Sequence, residues 1–137
     1  MNKFSIITTV YNGEKTIAKT IESVISQSYT NYEYIIIDAQ SEDKTLDEIN
    51  KYKKYITKII TEPDKSIYEG MNKGIKISNG DIVGIINSGD FYSKDALKTI
   101  NQYFLSKNYD FMFGTVFKKK ILYKFEPSKI WWSFNFY

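Results

Sequence analysis

Residues 4–105 alternate between two patterns, and that alternation limits the fold more than any other feature. Short β-branched, uncharged runs occupy residues 4–10, 34–37 and 82–86, with a fourth, Lys-led run at 58–61. Runs of this kind suit strands buried on both faces of a sheet. Between them, apolar residues recur at helical spacing: Ile17, Ala18, Ile21, Val24 and Ile25 within residues 15–27, then Leu46, Ile49, Tyr52 and Ile56. A third helix is expected from Ser66 through Met71, Ile75 and Ile77, closing at Gly80 in the left-handed conformation. A fourth begins at Ser93 and carries Ala96, Leu97, Ile100, Tyr103 and Phe104 along one face. Strands alternating with helices imply crossover connections and a mostly parallel, twisted sheet flanked by helices, a Rossmann-like α/β fold.

Local signals sharpen the boundaries. Ser41-Glu42-Asp43 offers capping side chains for the second helix, and Ser66 with Glu69 fits a capping box for the third. Asn79-Gly80 is a turn pair ahead of the fourth strand, which is expected to be buried. Further on, residues 111–117 and 121–125 are aromatic-rich runs separated by Lys118-Lys119-Lys120, which predicts a C-terminal β-hairpin whose lysines form a solvated turn. The 137 residues form one domain without repeats or linkers.

Composition removes whole classes of chemistry. With no Cys and no His, disulfides, thiolate nucleophiles, imidazole bases and zinc sites built on them are excluded, so any acid, base or metal ligand must be an oxygen group. Oxygen ligands suit hard cations such as Mg2+ or Mn2+. All 19 basic residues are Lys and the net charge is only +3, which argues against nucleic-acid binding. No apolar run reaches the ~18 residues of a membrane span, and the N-terminus lacks a signal-peptide core, so a soluble, cytoplasmic chain is expected. Aromatic residues reach 17%, concentrated at the end in Trp131-Trp132-Ser133-Phe134-Asn135-Phe136-Tyr137. That tail suits core or interface packing, or an exposed patch for self-association or contact with the inner membrane surface.

Each strand ends in a polar loop: Tyr11-Asn12-Gly13, Asp38-Ala39-Gln40-Ser41, Glu62-Pro63-Asp64-Lys65 and Asn87-Ser88-Gly89-Asp90. In a parallel sheet these loops share one edge, where ligands bind. Read singly, each is also ordinary turn or cap chemistry. Neither Gly-x-Gly-x-x-Gly after the first strand nor a Gly-Lys-Ser/Thr phosphate loop is present, which disfavours dinucleotide oxidoreductases and P-loop enzymes. A phosphoacceptor receiver needs clustered acids just after the first strand, and residues 8–12 hold none. An aromatic to pack on a nucleobase, a carboxylate to read its edge and Asp90 with a divalent cation to neutralise a diphosphate are the needs of a nucleotide-sugar transferase.

Four segments in order resemble the successive motifs of family 2 glycosyltransferases of the GT-A fold: residues 4–12, 36–43, 62–74 and 87–90. The resemblance implies an inverting transfer from a nucleoside-diphosphate sugar, by default a UDP-sugar, to a glycan or lipid-linked acceptor, with Mg2+ or Mn2+ bridging the diphosphate. It places Thr9, Val10 and Tyr11 at the nucleoside, Asp38 beside the base or ribose, Asp64 and Asn72 flanking the donor, and Asp90 on the metal.

The departures are specific. Ala39 stands where many members carry a second Asp, and Met71 where many carry an Arg. Asn87 and Gly89 replace acids of the metal motif, so Asp90 is left as its single carboxylate. No residue matches the family's Asp or Glu base, and residues 129–137 resemble the run into the acceptor half, so the chain is expected to stop partway through that domain. A non-catalytic nucleotide-sugar-binding module, or an inactive fragment that needs a partner chain, is the alternative these departures imply.

Overall fold

The computed structural model describes residues 2–106, 110 and 112, and the backbone of Val116–Lys118 and Ile121–Tyr123. In chain order the elements are β1 (Phe4–Val10), α1 (Ile17–Ile25), β2 (Tyr32–Asp38), α2 (Thr45–Asn50) and a 3-10 turn at Lys53–Tyr55. They continue with β3 (Lys58–Thr61), α3 (Ile67–Lys76), β4 (Ile82–Ile85) and α4 (Ala96–Ser106). These four strands pair in parallel in the order β3-β2-β1-β4. β1 and β2 run in full register from Phe4↔Tyr32 to Val10↔Asp38, so Val10 and Asp38 finish side by side. Backbone pairing of β5 (Val116–Lys118) with β6 (Ile121–Tyr123) is antiparallel. The terminal aromatic run, including Trp131 and Trp132, lies outside the described residues.

The period of two in β1 and β2 sorts their side chains into two cores. Phe4, Ile6, Val10, Tyr34 and Ile36 pack with Ile17, Ile21 and Val24 of α1, Ile49 of α2 and Leu97 of α4. Ile7, Ile35 and Ile37 form the other core with Ile60, Ile75 and Ile77. α3 approaches the second face closely, because a Cβ on Gly74 would stand 2.5 Å from Ile7 Cγ2. Small residues at Gly70 and Gly74, both buried, give the helix that approach.

Four expectations need correction. β4 is not buried on both faces: Val83 and Ile85 are 40% and 39% exposed, because α3 packs over β1 and β2. The second helix is shorter than expected: α2 stops at Asn50 and is followed by the 3-10 turn at Lys53–Tyr55. Its capping side chain is Asp43, whose Oδ1 accepts the Thr45 N–H at 2.9 Å, while Ser41 Oγ is taken by the Asn12 N–H. Helix α3 ends at Lys76 rather than at Gly80. Gly80 serves a close approach, since a Cβ there would fall 2.6 Å from the backbone N of Ser5. Tyr103 is 52% exposed, the inner face of α4 being taken by Leu97 and Asn101. The capping box holds in modified form: Ser66 Oγ accepts the Glu69 N–H at 3.3 Å, while Glu69 Oε2 accepts the N–H of Lys65 at 2.8 Å.

Candidate functional site

The loops at the C-terminal ends of β1, β2, β3 and β4 meet along one sheet edge. The first two are joined in both directions. Asn12 N–H donates to Ser41 Oγ at 2.8 Å and Gly13 N–H to Thr45 Oγ1 at 2.7 Å, while Asn12 Oδ1 accepts the N–H of Glu42 at 2.9 Å. Glu14 N–H reaches Asp43 Oδ2 at 3.1 Å, and Glu14 Oε2 accepts the N–H of Lys44 at 3.2 Å. Burial opposes ionisation of Asp43, but donors from Thr45 and the Glu14 N–H outweigh it and hold the carboxyl below its usual range. Asn12 and Gln40 adopt φ of 49° and 60°, a region in which few side chains rest without local hydrogen bonds.

The fourth loop is fixed to the first helix and strand. Thr9 Oγ1 donates to Asn87 Oδ1 at 2.8 Å, and Ser88 N–H donates to the Thr9 carbonyl at 3.1 Å. Thr20 Oγ1 donates to the Asp90 carbonyl at 2.8 Å and accepts the Gly89 N–H at 3.0 Å. Gly89 has φ of 98°, so an acid at that position would be strained; the backbone there favours the glycine found in place of a family carboxylate.

The expected site residues divide by exposure. Tyr11 is 60% exposed at the end of β1, with its ring free of the core. Asp38 is fully buried; Oδ2 accepts the Ser41 N–H at 3.1 Å, and Oδ1 has no hydrogen-bond partner. A buried carboxylate oxygen left without a donor costs free energy, so its place at the strand ends calls for a reason. Thr9 is buried with its hydroxyl engaged, and the Val10 side chain packs in the core, so that its carbonyl, which accepts the Ala39 N–H at 2.9 Å, is what reaches the edge. Asp64 is nearly buried and ion-paired with Lys73. A Cβ on Gly70 would lie 2.7 Å from Asp64 Oδ2 and 3.2 Å from Thr9 Cγ2, which puts this carboxylate beside the end of β1. Asn72 is not drawn in: it is exposed on α3 and makes no hydrogen bond with the strand-end loops among the described residues.

Asp90 is exposed beyond β4. Among the described residues no three acidic side chains gather as a metal site. Asp90 alone offers a carboxylate in this loop, an oxygen group of the kind a hard divalent ion accepts, and Mg2+ takes as few as one or two protein carboxylates.

Residues 5–137 match the family model of Glycosyl transferase family 2. The chain belongs to that family. Family 2 relatives include a dolichyl N-acetyl-alpha-D-glucosaminyl phosphate 3-beta-D-2,3-diacetamido-2,3-dideoxy-beta-D-glucuronosyltransferase of Methanococcus voltae. It is 38% identical over 104 residues, covering 72% of this chain and 32% of that protein. The UDP-Glc:alpha-D-GlcNAc-diphosphoundecaprenol beta-1,3-glucosyltransferase WfgD of Escherichia coli is 31% identical over 111 residues, covering 80% of this chain and 44% of the relative. The crystal structure of Staphylococcus aureus TarS 1-349 in complex with UDP-GlcNAc aligns with a TM-score of 0.72 and 26% identity, over 76% of this chain and 31% of that one. This family 2 chain thus spans less than half the length of these relatives. The parallel sheet flanked by helices is the GT-A arrangement of its structural neighbours. No helix among the described residues is long and apolar enough to cross a membrane.

Lys73 was not singled out by the sequence pattern, although its spacing of four from Glu69 is that of a helical ion pair. The Asn12–Glu42 bond had no sequence signal, because it depends on two loops brought together by strand register.

Proposed function

We propose that this domain binds the nucleoside diphosphate of an activated sugar along the strand ends and presents the sugar for transfer to a hydroxyl of a glycan or lipid-linked acceptor. A UDP-sugar is the first donor to test. The observation that carries this reading is Asp38: a buried carboxylate with one oxygen satisfied by Ser41 and the other free, in the loop bonded to the one that presents Tyr11. A free acceptor oxygen selects a ring N–H, and an exposed phenol ring offers a stacking face.

In the proposed chemistry the acceptor oxygen attacks the anomeric carbon as its bond to the diphosphate oxygen breaks, which inverts the configuration and sends the hydroxyl proton to a base. Thr9, Val10 through its carbonyl, Tyr11, Asp38 and Asp64 form the donor side, and Asp90 would hold Mg2+ or Mn2+. That ion, when bound, supplies charge neutralisation for the leaving diphosphate. Asn72 is kept as a residue flanking the donor on the strength of the family motif alone.

Calorimetry with UDP-glucose, UDP-N-acetylglucosamine and UDP, with and without Mn2+, tests binding; release of free sugar or transfer to a glycan panel tests turnover. Absence of both for the chain as it stands would remove the reading. Binding without turnover would select the second one, a nucleotide-sugar-binding module, which is favoured by the absence of a clustered acidic metal site among the described residues.

A further inference from the structure

The geometry points to Lys73 as a positioning residue for the donor, one that fixes Asp64 at the end of β1 and offsets the acidic charge of the β3–α3 loop where a diphosphate approaches. This inference rests on the donor-binding reading above.

Lys73 projects from α3 back across that loop. Its Nζ donates to Asp64 Oδ1 and, at 3.0 Å, to the carbonyl of Pro63. Glu62 Oε1 stands at 3.9 Å and Glu69 Oε1 at 4.0 Å. One ammonium therefore faces three carboxylates and a carbonyl, and it ties the loop to the helix. The hydrogen bond that Lys73 donates to Asp64 is the main reason its ammonium holds its proton more tightly than an ordinary lysine, despite an opposing effect of burial.

What makes this more than a surface ion pair is the burial and location of its partner. The side chain of Asp64 is only 5% exposed, against 22% for Lys73. Asp64 Oδ2, the oxygen not bonded to Lys73, lies over the α3 backbone beside Thr9, so closely that Gly70 has no room for a Cβ. The carboxylate is thus clamped from one side by Lys73 and from the other by α3. Without the ammonium, Asp64 is a buried charge lacking its partner, and Glu62, Asp64 and Glu69 repel both one another and an anionic diphosphate. Exposed ion pairs contribute little; a hydrogen-bonded charge that fixes a buried carboxylate at a binding edge has a defined task.

The test compares the unaltered chain with Lys73→Met, Lys73→Arg, Asp64→Asn and the Lys73→Met/Asp64→Asn double variant. Binding of UDP-glucose, UDP-N-acetylglucosamine and UDP is measured by calorimetry, and folding by urea denaturation. Lys73→Met is expected to weaken nucleotide-sugar binding about tenfold or more, the scale of a lost charge-assisted hydrogen bond. Lys73→Arg restores most of that loss, and the double variant binds no worse than the weaker single variant, because the two residues act as a unit. A folded Lys73→Met chain that binds like the unaltered one, or additive losses in the double variant, overturns the role. If Lys73→Met does not fold, Lys73→Gln decides: folded with binding weakened about tenfold supports the role, folded with unaltered binding overturns it. An unaltered chain that binds none of the three nucleotides removes the donor reading itself, whereas one that binds them indifferently to Lys73 removes only this inference.

Discussion

The side-chain oxygen of Asn12 accepts the backbone N–H of Glu42 at 2.9 Å, although the two residues lie on loops that follow different strands. Asn12 returns the bond through its own N–H to Ser41, and it does so at φ of 49°. Two requirements therefore coincide at one position, a left-handed backbone and a side-chain acceptor. Asn12→Ala fails both and is expected to lower stability by about 1–2 kcal/mol. Asn12→Gly keeps the backbone freely and loses only the bond, so it should fall between. Urea denaturation of the pair separates the two effects, and equal midpoints for Ala and Gly would show that backbone strain is absent.

Asp38 is buried with a free oxygen, so its replacement by Asn removes a charge without changing shape. Asp38→Asn should leave the unfolding midpoint unchanged or raised, because an unpaired buried charge is relieved. UDP affinity should fall about tenfold or more, since the amide cannot serve as the same charged acceptor. A variant that binds UDP as tightly as the unaltered chain would falsify Asp38 as the base-reading group.

The carboxylate of Asp90 is exposed while its carbonyl is held by Thr20. Asp90→Ala removes the first and spares the second, so stability should change by less than about 0.5 kcal/mol. The Mn2+-dependent part of donor binding should disappear, leaving the metal-free affinity. Calorimetry with and without Mn2+ reads this directly; unchanged metal dependence would take Asp90 out of the site.

Far from that edge, Glu33 is buried near the start of β2. Its Oε1 accepts Ser5 Oγ at 2.5 Å and the Asn79 N–H at 2.6 Å, and Lys3 Nζ lies 3.7 Å from Oε2. Burial raises its pKa, but those donors and the Lys3 charge together bring it below the ordinary value. A lowered folded pKa contributes stability that is present above the unfolded value of about 4.3 and is lost as pH falls through the folded one. Acid unfolding of Glu33→Gln should therefore be flatter than that of the unaltered chain below about pH 4.3. Parallel slopes for the two proteins would show that Glu33 is not the linked group.

Much of the sheet was legible from residue pattern. The boundaries of the runs at residues 4–10 and 58–61 coincide with β1 and β3, and the stripe Ile17, Ile21, Val24 is buried in α1 as its spacing requires. β4 was misjudged because a β-branched run is the same whether a helix covers one face or two, and α3 covers its neighbours instead. The loops were legible as a set and not in detail: Asp43 caps α2 through the Thr45 N–H as its residue type suggests, but it and Ser41 also bond loop β1–α1, a use that only register reveals.

Sequence alone determined the order of strands and helices, the oxygen-only chemistry and the family motifs after each strand, because these depend on side-chain type and short spacing. Tertiary structure decided which polar groups are free. Parallel pairing sets Val10 beside Asp38, and the crossing of α3 over β1 sets Lys73 against Asp64. Asp38 keeps an unpartnered oxygen while the hydroxyl of Thr9, equally polar in the sequence, is already bonded to Asn87, 78 residues away. The physical reason is that hydrogen-bond satisfaction depends on distances between loops, and those distances exist only once the strands have paired.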